Sequence, residues 1–178
     1  MDTVPEIAGK GLRLRPVMPE DAAFIHGLRT DPAYNAHLSA VTGTVADQRA
    51  WIIACKTREA AGAELYYIIE RRDGVPCGVV RLYDITAESF TWGSWILNAE
   101  KPPKAALESA LLIYEIGFEH IQKQRAVFDV RADNERVLSF HRRFGAKETG
   151  SDSENVYFEL TRERFISVRA ALYEKLEA

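Results

Sequence analysis

A strand, a long helix and a second strand follow one another over residues 89–131, and this run constrains the fold more than any other part of the 178-residue chain. Ser89–Leu97 (SFTWGSWIL) and Arg125–Arg131 (RAVFDVR) are rich in aromatic and β-branched side chains, which favour half-buried strands. Between them, residues 104–121 keep one apolar stripe at helical spacing. This order predicts a right-handed β-α-β unit whose two strands pair in parallel.

Antiparallel strands and flanking helices are predicted around that unit. Asp73-Gly74 is the strongest hairpin signal in the chain. The other strands are predicted at 11–16, 64–71, 75–83, 146–150 and 155–160. The other helices are predicted at 19–29, 47–60 and 161–177. The sequence therefore predicts a mixed α/β fold in one domain over residues 1–178, with its core at 11–160 and a polar substrate loop at 30–44.

Composition excludes several classes of protein. A hydrophobic fraction of 47% supports one buried core, and no apolar stretch is long enough to span a bilayer, so no membrane association is expected. Cys55 and Cys77 form no C-x-x-C pair, which favours a reducing, cytoplasmic location. The net charge of −3 argues against nucleic acid as a partner, and four scattered histidines lack the spacing of metal ligands.

Residues 130–146 (VRADNERVLSFHRRFGA) join a strand end, a polar turn, a short helix and a glycine stop. Asn134 has two interpretations: its side chain caps the helix, or its amide holds the amide of a ligand. His141 lies two helical turns further on, on nearly the same face, where it is either a packed side chain or a catalytic one. Residues 123–147 contain seven basic and three acidic side chains. This excess of basic residues is either a solvated helix face or a surface that suits a small polyanion.

The pattern N-x-x-V-L-x-F-H-x-x-F-G-A in this stretch resembles the second cofactor motif of the GNAT family, the Gcn5-related acyl-CoA N-acyltransferases. The segments LRLRPVMPEDA and LRTDPAY are similar to the branch that includes ribosomal-protein and nucleotide-aminosugar N-acetyltransferases. The resemblance implies a central, mostly antiparallel mixed sheet whose two middle strands splay apart, with flanking helices. It also implies that the pantetheine arm of acetyl-CoA lies between those strands, held by backbone groups of Ile96 and Leu97.

By the same resemblance, the chain is expected to transfer an acetyl group from acetyl-CoA, without a metal, to a primary amine on a small molecule or peptide. His141 stands where family members carry a Tyr or His that acts as the general acid. The first choice of acceptor is a nucleotide-linked amino sugar, and the second is a protein N-terminus or a free amine. Glu70, Asp84 and Glu88 are the candidate general bases, and the sequence leaves open whether the chain is a monomer or a homodimer.

The family's pyrophosphate loop departs from its usual pattern here. The stretch NAEKPPKAALESA has neither the basic lead residue nor the glycines, and Pro102 and Pro103 donate no backbone N–H. If Pro103 is the first helical residue, an anion site survives on the free N–H groups of Lys104, Ala105 and Ala106, followed by Leu107, with the Lys104 ammonium adding charge. The alternative is a GNAT-shaped binding or regulatory module with little or no catalysis.

Overall fold

The computed structural model describes residues 4–37 and 41–178, and within them the elements follow the predicted order, with one additional two-residue strand at Ile7–Ala8. Residues 38–40, part of the predicted substrate loop, lie outside the described residues. The strands are β1 (Ile7–Ala8), β2 (Leu12–Pro16), β3 (Leu65–Arg71), β4 (Pro76–Tyr83), β5 (Ser89–Leu97), β6 (Arg125–Arg131), β7 (Lys147–Ser151) and β8 (Asn155–Thr161). The helices are α1 (Ala22–Thr30), α2 (Val45–Ala60), α3 (Ala105–Glu115), α4 (Glu135–Phe144) and α5 (Arg162–Glu177).

Capping side chains set where three of these helices begin. Thr44, Asn134 and Thr161 each accept the backbone N–H three residues further on, at 3.2, 3.4 and 3.1 Å. Such a bond satisfies one of the N–H groups that a helix start leaves without a partner. Gly145 ends α4 in the left-handed region, at φ 115°, where a residue without Cβ is favoured.

All eight strands lie in one sheet, in the order β1-β2-β3-β4-β5-β6-β8-β7. Every neighbouring pair is antiparallel except β5 and β6, which pair in parallel through the crossover helix α3. The fold is therefore the mixed, mostly antiparallel α/β arrangement that the sequence predicts.

The parallel pair separates almost at once. Only Ser89↔Arg125 and Phe90↔Ala126 are in register between β5 and β6. Beyond them β5 continues to Leu97 along β4, and β6 continues to Arg131 along β8. The two strands therefore splay towards their carboxyl ends. Beyond Phe90 and Ala126, the backbone edges that face each other are not paired by hydrogen bonds.

A β-bulge interrupts β5 within this splayed part. Val79 pairs with Ile96 and Arg81 pairs with Gly93, so Ser94 and Trp95 together oppose a single residue of β4. Ser94 takes a positive φ of 49°, an uncommon conformation for a residue with a side chain. The bulge brings the Ile96 carbonyl oxygen within 2.2 Å of where a Cβ on Gly78 would lie, so only glycine fits at that position of β4.

Two apolar cores lie on opposite faces of the sheet. Helices α3, α4 and α5 cover one face, where Phe90, Trp92, Phe128 and Phe158 are buried. Helices α1 and α2 cover the other face around Ile25, Ile52, Tyr66, Ile68 and Val79. Among the described residues, none from β6, β7 or β8 belongs to this second core. No helix in the described ranges is long and apolar enough to cross a membrane.

The structure differs from the sequence predictions at the two ends of the long helix. The helix was predicted to begin at residue 104, but Lys104 is an N-cap in the left-handed region, at φ 63°, and Ala105 is the first helical residue. The predicted helix to 121 ends in a π-helical turn, Ile116–His120. There a Cβ on Gly117 would lie 2.2 Å from the Phe90 ring, so the crossover packs its glycine directly onto β5.

Candidate active site

The gap between the splayed strands forms a slot with unpaired backbone groups on both sides. Ile96 and Leu97 use one edge of β5 to pair with Val79 and Gly78 of β4. Their opposite edge faces the gap, as does the edge of β6 beyond Ala126. An extended chain with amide groups fits this slot because it can pair with strand edges as another strand would. The pantetheine arm of CoA has two such amides.

His141 lies beside this slot and contacts both splayed strands. Its ring centroid is 4.6 Å from that of Phe128 on β6 and 5.5 Å from that of Trp92 on β5. Rings of Trp95, Phe140 and Phe158 lie within 6.2 Å of it as well. Only 3% of the side chain is exposed, and its Nδ1 has no hydrogen-bond partner among the described residues.

Burial among aromatic rings keeps this imidazole neutral. Desolvation lowers the pKa of His141 to about 3, because the charged form loses its hydration and no carboxylate compensates for that loss. At neutral pH the ring therefore carries one N–H and one lone pair. The proton that it offers to a neighbour is the N–H of a neutral imidazole rather than that of an imidazolium.

Two hydrogen bonds hold β5 against the crossover helix behind the slot. The indole of Trp92 donates to the Tyr114 hydroxyl at 3.1 Å, and the indole of Trp95 donates to Ser109 Oγ at 3.1 Å. Both acceptors lie on α3 and are fully buried. The apolar stripe of α3 indicated that Tyr114 is buried, but no local pattern indicated that it binds Trp92.

The start of α3 differs from the predicted pyrophosphate loop. The condition that Pro103 is the first helical residue is not met, because α3 begins at Ala105. The Ala105 N–H already donates to the Pro102 carbonyl at 3.3 Å, so the free N–H groups of the first turn are those of Ala106 and Leu107. The Lys104 ammonium donates to the backbone oxygens of Lys175, at 2.8 Å, and Ala178. The ammonium group is therefore bound at the end of α5 and does not add its charge to the start of α3.

Asn134 is the helix cap that its sequence position suggested. Its Oδ1 accepts the Val137 N–H, and its amide nitrogen makes no hydrogen bond within the described residues. The same side chain can thus cap α4 and donate to a ligand carbonyl. Arg136, in the first turn of α4, is exposed and forms no ion pair with a described residue, whereas Arg142 is paired with Glu148 at 3.3 Å.

Two clefts open on the opposite face of the sheet from His141. The first, of about 490 Å³, is called the carboxylate cleft and is lined by Tyr83, Asp84, Thr91, Asp129, Tyr157 and Glu159. The second, of about 470 Å³, lies between α1, α2 and the β5 bulge. It is called the arginine cleft and is lined by Arg29, Asp47, Gln48, Trp51, Arg81 and Ser94. Arg81 stacks 4.3 Å from the Tyr83 ring, so these two side chains join the clefts.

The three candidate bases fall in different surroundings. Glu70 is 3% exposed and is hydrogen-bonded to Arg13 and Arg15, so it is committed to joining β2 and β3. Glu88 is exposed in the turn before β5 and does not line the carboxylate cleft. Asp84 lines that cleft together with Asp129, which sequence reasoning did not select. The alternation of β6 predicts that Asp129 and the buried Phe128 lie on opposite faces of the sheet. It does not predict which residues of neighbouring strands lie next to Asp129.

Comparison with known proteins agrees with this geometry. A family model described as an acetyltransferase (GNAT) domain matches residues 11–147. The chain is similar to a solved structure described as apo FdhC, a nucleotide-linked sugar GNAT. The TM-score is 0.89 and the identity 39%, over 95% of this chain and 97% of that one. No curated protein sequence matches the chain significantly.

Two more distant structures share the fold. A ribosomal-protein-S5-alanine acetyltransferase from Vibrio fischeri gives a TM-score of 0.76 at 10% identity, over 89% of this chain and 97% of that one. A spermidine N-acetyltransferase from Vibrio cholerae, in complex with CoA and spermine, gives 0.75 at 16%, over 87% and 98%. The splayed sheet and its slot define an acyl-CoA-dependent N-acyltransferase. The chain belongs to the GNAT acetyltransferase family.

Proposed function

We propose that this enzyme transfers the acetyl group of acetyl-CoA to the primary amine of a nucleotide-linked amino sugar. The observation that carries the proposal is the similarity to the nucleotide-linked sugar GNAT, at 39% identity over nearly the full length of both chains. The two clefts next to the slot support it, because one offers carboxylates to an amine and the other offers arginines to an anion.

The residues at the slot fit acetyl-CoA in three places. The free edge of β5 at Leu97 suits an amide of the pantetheine arm, whereas the carbonyl of Ile96 is turned towards Gly78 of β4. The N–H groups of Ala106 and Leu107, at the positive end of α3, suit the pyrophosphate, with fewer donors than a glycine loop would supply. The free amide nitrogen of Asn134 suits a carbonyl of the same arm.

Transfer proceeds in one step in this proposal. The neutral amine nitrogen attacks the thioester carbonyl carbon, the C–N bond forms, and the C–S bond breaks to release the CoA thiolate. No cysteine intermediate is involved, since burial raises the pKa of both the Cys55 and the Cys77 thiol to about 11 and keeps them protonated. The amine proton passes to a carboxylate of the carboxylate cleft, for which Asp84 and Asp129 are the candidates.

His141 acts on the leaving group in this proposal. Because its ring is neutral, its N–H donates a hydrogen bond to the departing sulfur and stabilises the developing thiolate. A thiolate with a pKa near the free-thiol value of about 8.5 needs only modest help, so the contribution to the rate is about tenfold to a hundredfold. Water completes the protonation once CoA leaves the slot.

Acetyl-CoA binding can be tested with a matched pair of helix caps. Asn134→Ala and Thr161→Ala each remove a capping bond and should each lower the free energy of unfolding by about 1 kcal/mol. Only Asn134→Ala should also weaken acetyl-CoA binding, by about tenfold, which would remove about 1.4 kcal/mol of the stabilisation by ligand. A thermal-shift titration measures both effects. Equal shifts with acetyl-CoA in the two variants would exclude Asn134 from the cofactor site.

The acceptor can be tested by thiol release from acetyl-CoA in the presence of three classes of amine. These are nucleotide-linked amino sugars, peptides with a free N-terminus, and polyamines. The proposal expects kcat/KM for at least one nucleotide-linked amino sugar to exceed that for the other two classes by at least a hundredfold. Preference for a peptide or a polyamine, with the sugars inactive, would refute the proposed acceptor.

A further inference from the structure

Unsatisfied buried polar atoms cluster at the arginine cleft. Five buried side-chain nitrogen or oxygen atoms among the described residues have no hydrogen-bond partner. One belongs to His141, and the others are Arg29 Nε, Tyr66 OH, Arg81 Nε and Glu64 Oε1, of which Glu64 Oε1 is in an ion pair with Arg81 at 3.3 Å. Buried polar groups are almost always paired in native proteins, so a cluster of unpaired ones indicates that something else supplies their partners.

These four groups lie close together around the cleft. Arg29 and Arg81 line it, from α1 and β4. Tyr66 pairs in register with Arg81, is 1% exposed, and packs its ring 5.6 Å from that of Trp51. Burial raises the pKa of the Tyr66 hydroxyl, and the nearby charges of Arg29 and Arg81 oppose that rise. The hydroxyl therefore lies near both guanidinium groups, although Tyr66 itself does not line the cleft.

The acidic groups nearby are already engaged. Glu64 is shared by Arg58, at 2.7 Å, and Arg81, at 3.3 Å. Asp47 accepts the backbone N–H of Thr44, at 2.8 Å, and its hydroxyl, at 3.1 Å. Arg29 forms no ion pair with any described residue. The cleft thus presents the guanidinium groups of Arg29 and Arg81 as donors, and of the two only Arg81 has a carboxylate partner among the described residues.

Such a set of donors suits a phosphate-bearing ligand. A guanidinium binds two phosphate oxygens at once in a planar fork, and phosphate oxygens have enough lone pairs to accept from several donors. A carboxylate offers only two acceptor oxygens to the same groups. A volume of about 470 Å³ is within the range of small-molecule sites.

The arginine cleft leads directly to the slot. Ser94 lines the cleft and belongs to the bulge of β5, and Tyr83 stacks on Arg81 on the way to the carboxylate cleft. A Cβ on Gly93 would lie 3.2 Å from the Tyr83 hydroxyl, so β5 passes immediately beneath this connection. In a nucleotide-linked sugar one pyranose ring separates the diphosphate from the amine, which matches an anion site and a carboxylate site that meet at Tyr83.

We propose that the arginine cleft binds the diphosphate of the nucleotide-linked acceptor through Arg29 and Arg81, and thereby presents the sugar amine at the slot. This inference rests on the proposed function and adds to it the residues that select a nucleotide carrier over a free amino sugar. The amine then lies beside the carboxylate cleft, while acetyl-CoA occupies the gap between β5 and β6.

The inference can be tested with uridine diphosphate, thymidine diphosphate and inorganic pyrophosphate as probes, by calorimetry on the enzyme saturated with CoA. Saturation prevents the probes from occupying the cofactor's own phosphate site. Arg29→Gln should raise the Kd of the nucleoside diphosphates at least tenfold and leave the Kd of acetyl-CoA unchanged. The control is Arg49→Gln, an exposed residue on α2 that makes the same charge change and does not line the cleft. It should stay within about twofold of wild type.

Steady-state kinetics separate this inference from the proposed function. With an accepted nucleotide-linked amino sugar, Arg29→Gln should raise KM at least tenfold and change kcat less than threefold, because Arg29 binds the carrier and not the reacting atoms. Equal KM values in wild type and Arg29→Gln would overturn the inference and leave the proposed acceptor standing. If none of the three probes binds to the wild-type enzyme at saturating CoA, the inference is also overturned. If wild type acetylates only amines without a nucleotide, the proposed function fails as well.

Discussion

Replacing His141 with phenylalanine is expected to lower kcat at least tenfold and, at the same time, to make the protein more stable. The ring lies among five aromatic side chains with 3% of its surface exposed, and phenylalanine fits such surroundings without a polar atom. Its Nδ1 is buried without a partner, a condition that costs about 1–3 kcal/mol. Removing it should raise the free energy of unfolding by about 1 kcal/mol, or Tm by about 2–4 °C for a chain of this size.

Steady-state kinetics and a thermal melt on the same preparation measure both effects. The KM for acetyl-CoA should stay nearly unchanged, because the slot edges and the start of α3 are untouched. His120→Gln, in the π-helical turn, is the control and should leave kcat and Tm at their wild-type values. Turnover by His141→Phe equal to that of wild type would remove His141 from the mechanism. A lower Tm would contradict the assignment of an unsatisfied nitrogen.

The free energy of unfolding is expected to decrease steeply as the pH falls, and part of this decrease is expected to come from His141. Its pKa is lowered to about 3 in the folded protein by desolvation, against about 6.5 in the unfolded chain. Between these two pH values the unfolded state binds a proton that the folded state does not. The free energy of unfolding therefore decreases as the pH falls. The contribution is fully present above pH 6.5. It decreases by about 1.4 kcal/mol for each pH unit below that, to a total on the order of 5 kcal/mol.

Urea denaturation of wild type and His141→Phe at intervals between pH 7 and pH 4 isolates this dependence. The difference in unfolding free energy between the two proteins should widen as pH decreases, by about 3 kcal/mol from pH 6.5 to pH 4.5. Acid titration of the carboxylates is common to both proteins and cancels in that difference. Parallel stability curves would show that folding leaves the pKa of His141 unchanged, and the assignment of a desolvated imidazole would fail.

Local sequence patterns were enough to predict the parallel crossover and the order of the elements other than the short strand β1. Each depends on the alternation or the helical spacing of neighbouring residues, and the pattern around Asn134 and His141 is similar to one family. The cap at Asn134 could be predicted for the same reason. Its partner, the Val137 N–H, is only three residues away.

Features that depend on distant contacts could not be predicted in this way. Lys104 was expected to add charge at the pyrophosphate site, but its ammonium binds the backbone at the end of α5, 71 residues away in sequence. The arginine cleft brings together Arg29 of α1 and Arg81 of β4, next to Tyr66 of β3. None of these residues has a local signature, because each belongs to an ordinary amphipathic helix or strand. Only the packing of α1 and α2 onto the sheet places them together.

The bulge in β5 assigns side chains to the two sides of the molecule. Before it Phe90 and Trp92 face α3, and after it Trp95 and Leu97 face α3 while Ile96 enters the core beneath α1 and α2. Strict alternation would have reversed the last three, since one extra residue shifts the phase of every residue that follows. A one-residue deletion in β5 after Gly93 would therefore turn Trp95 and Leu97 away from α3 and turn Ile96 towards it, so the length of β5, and not only its composition, determines which core each of these side chains enters.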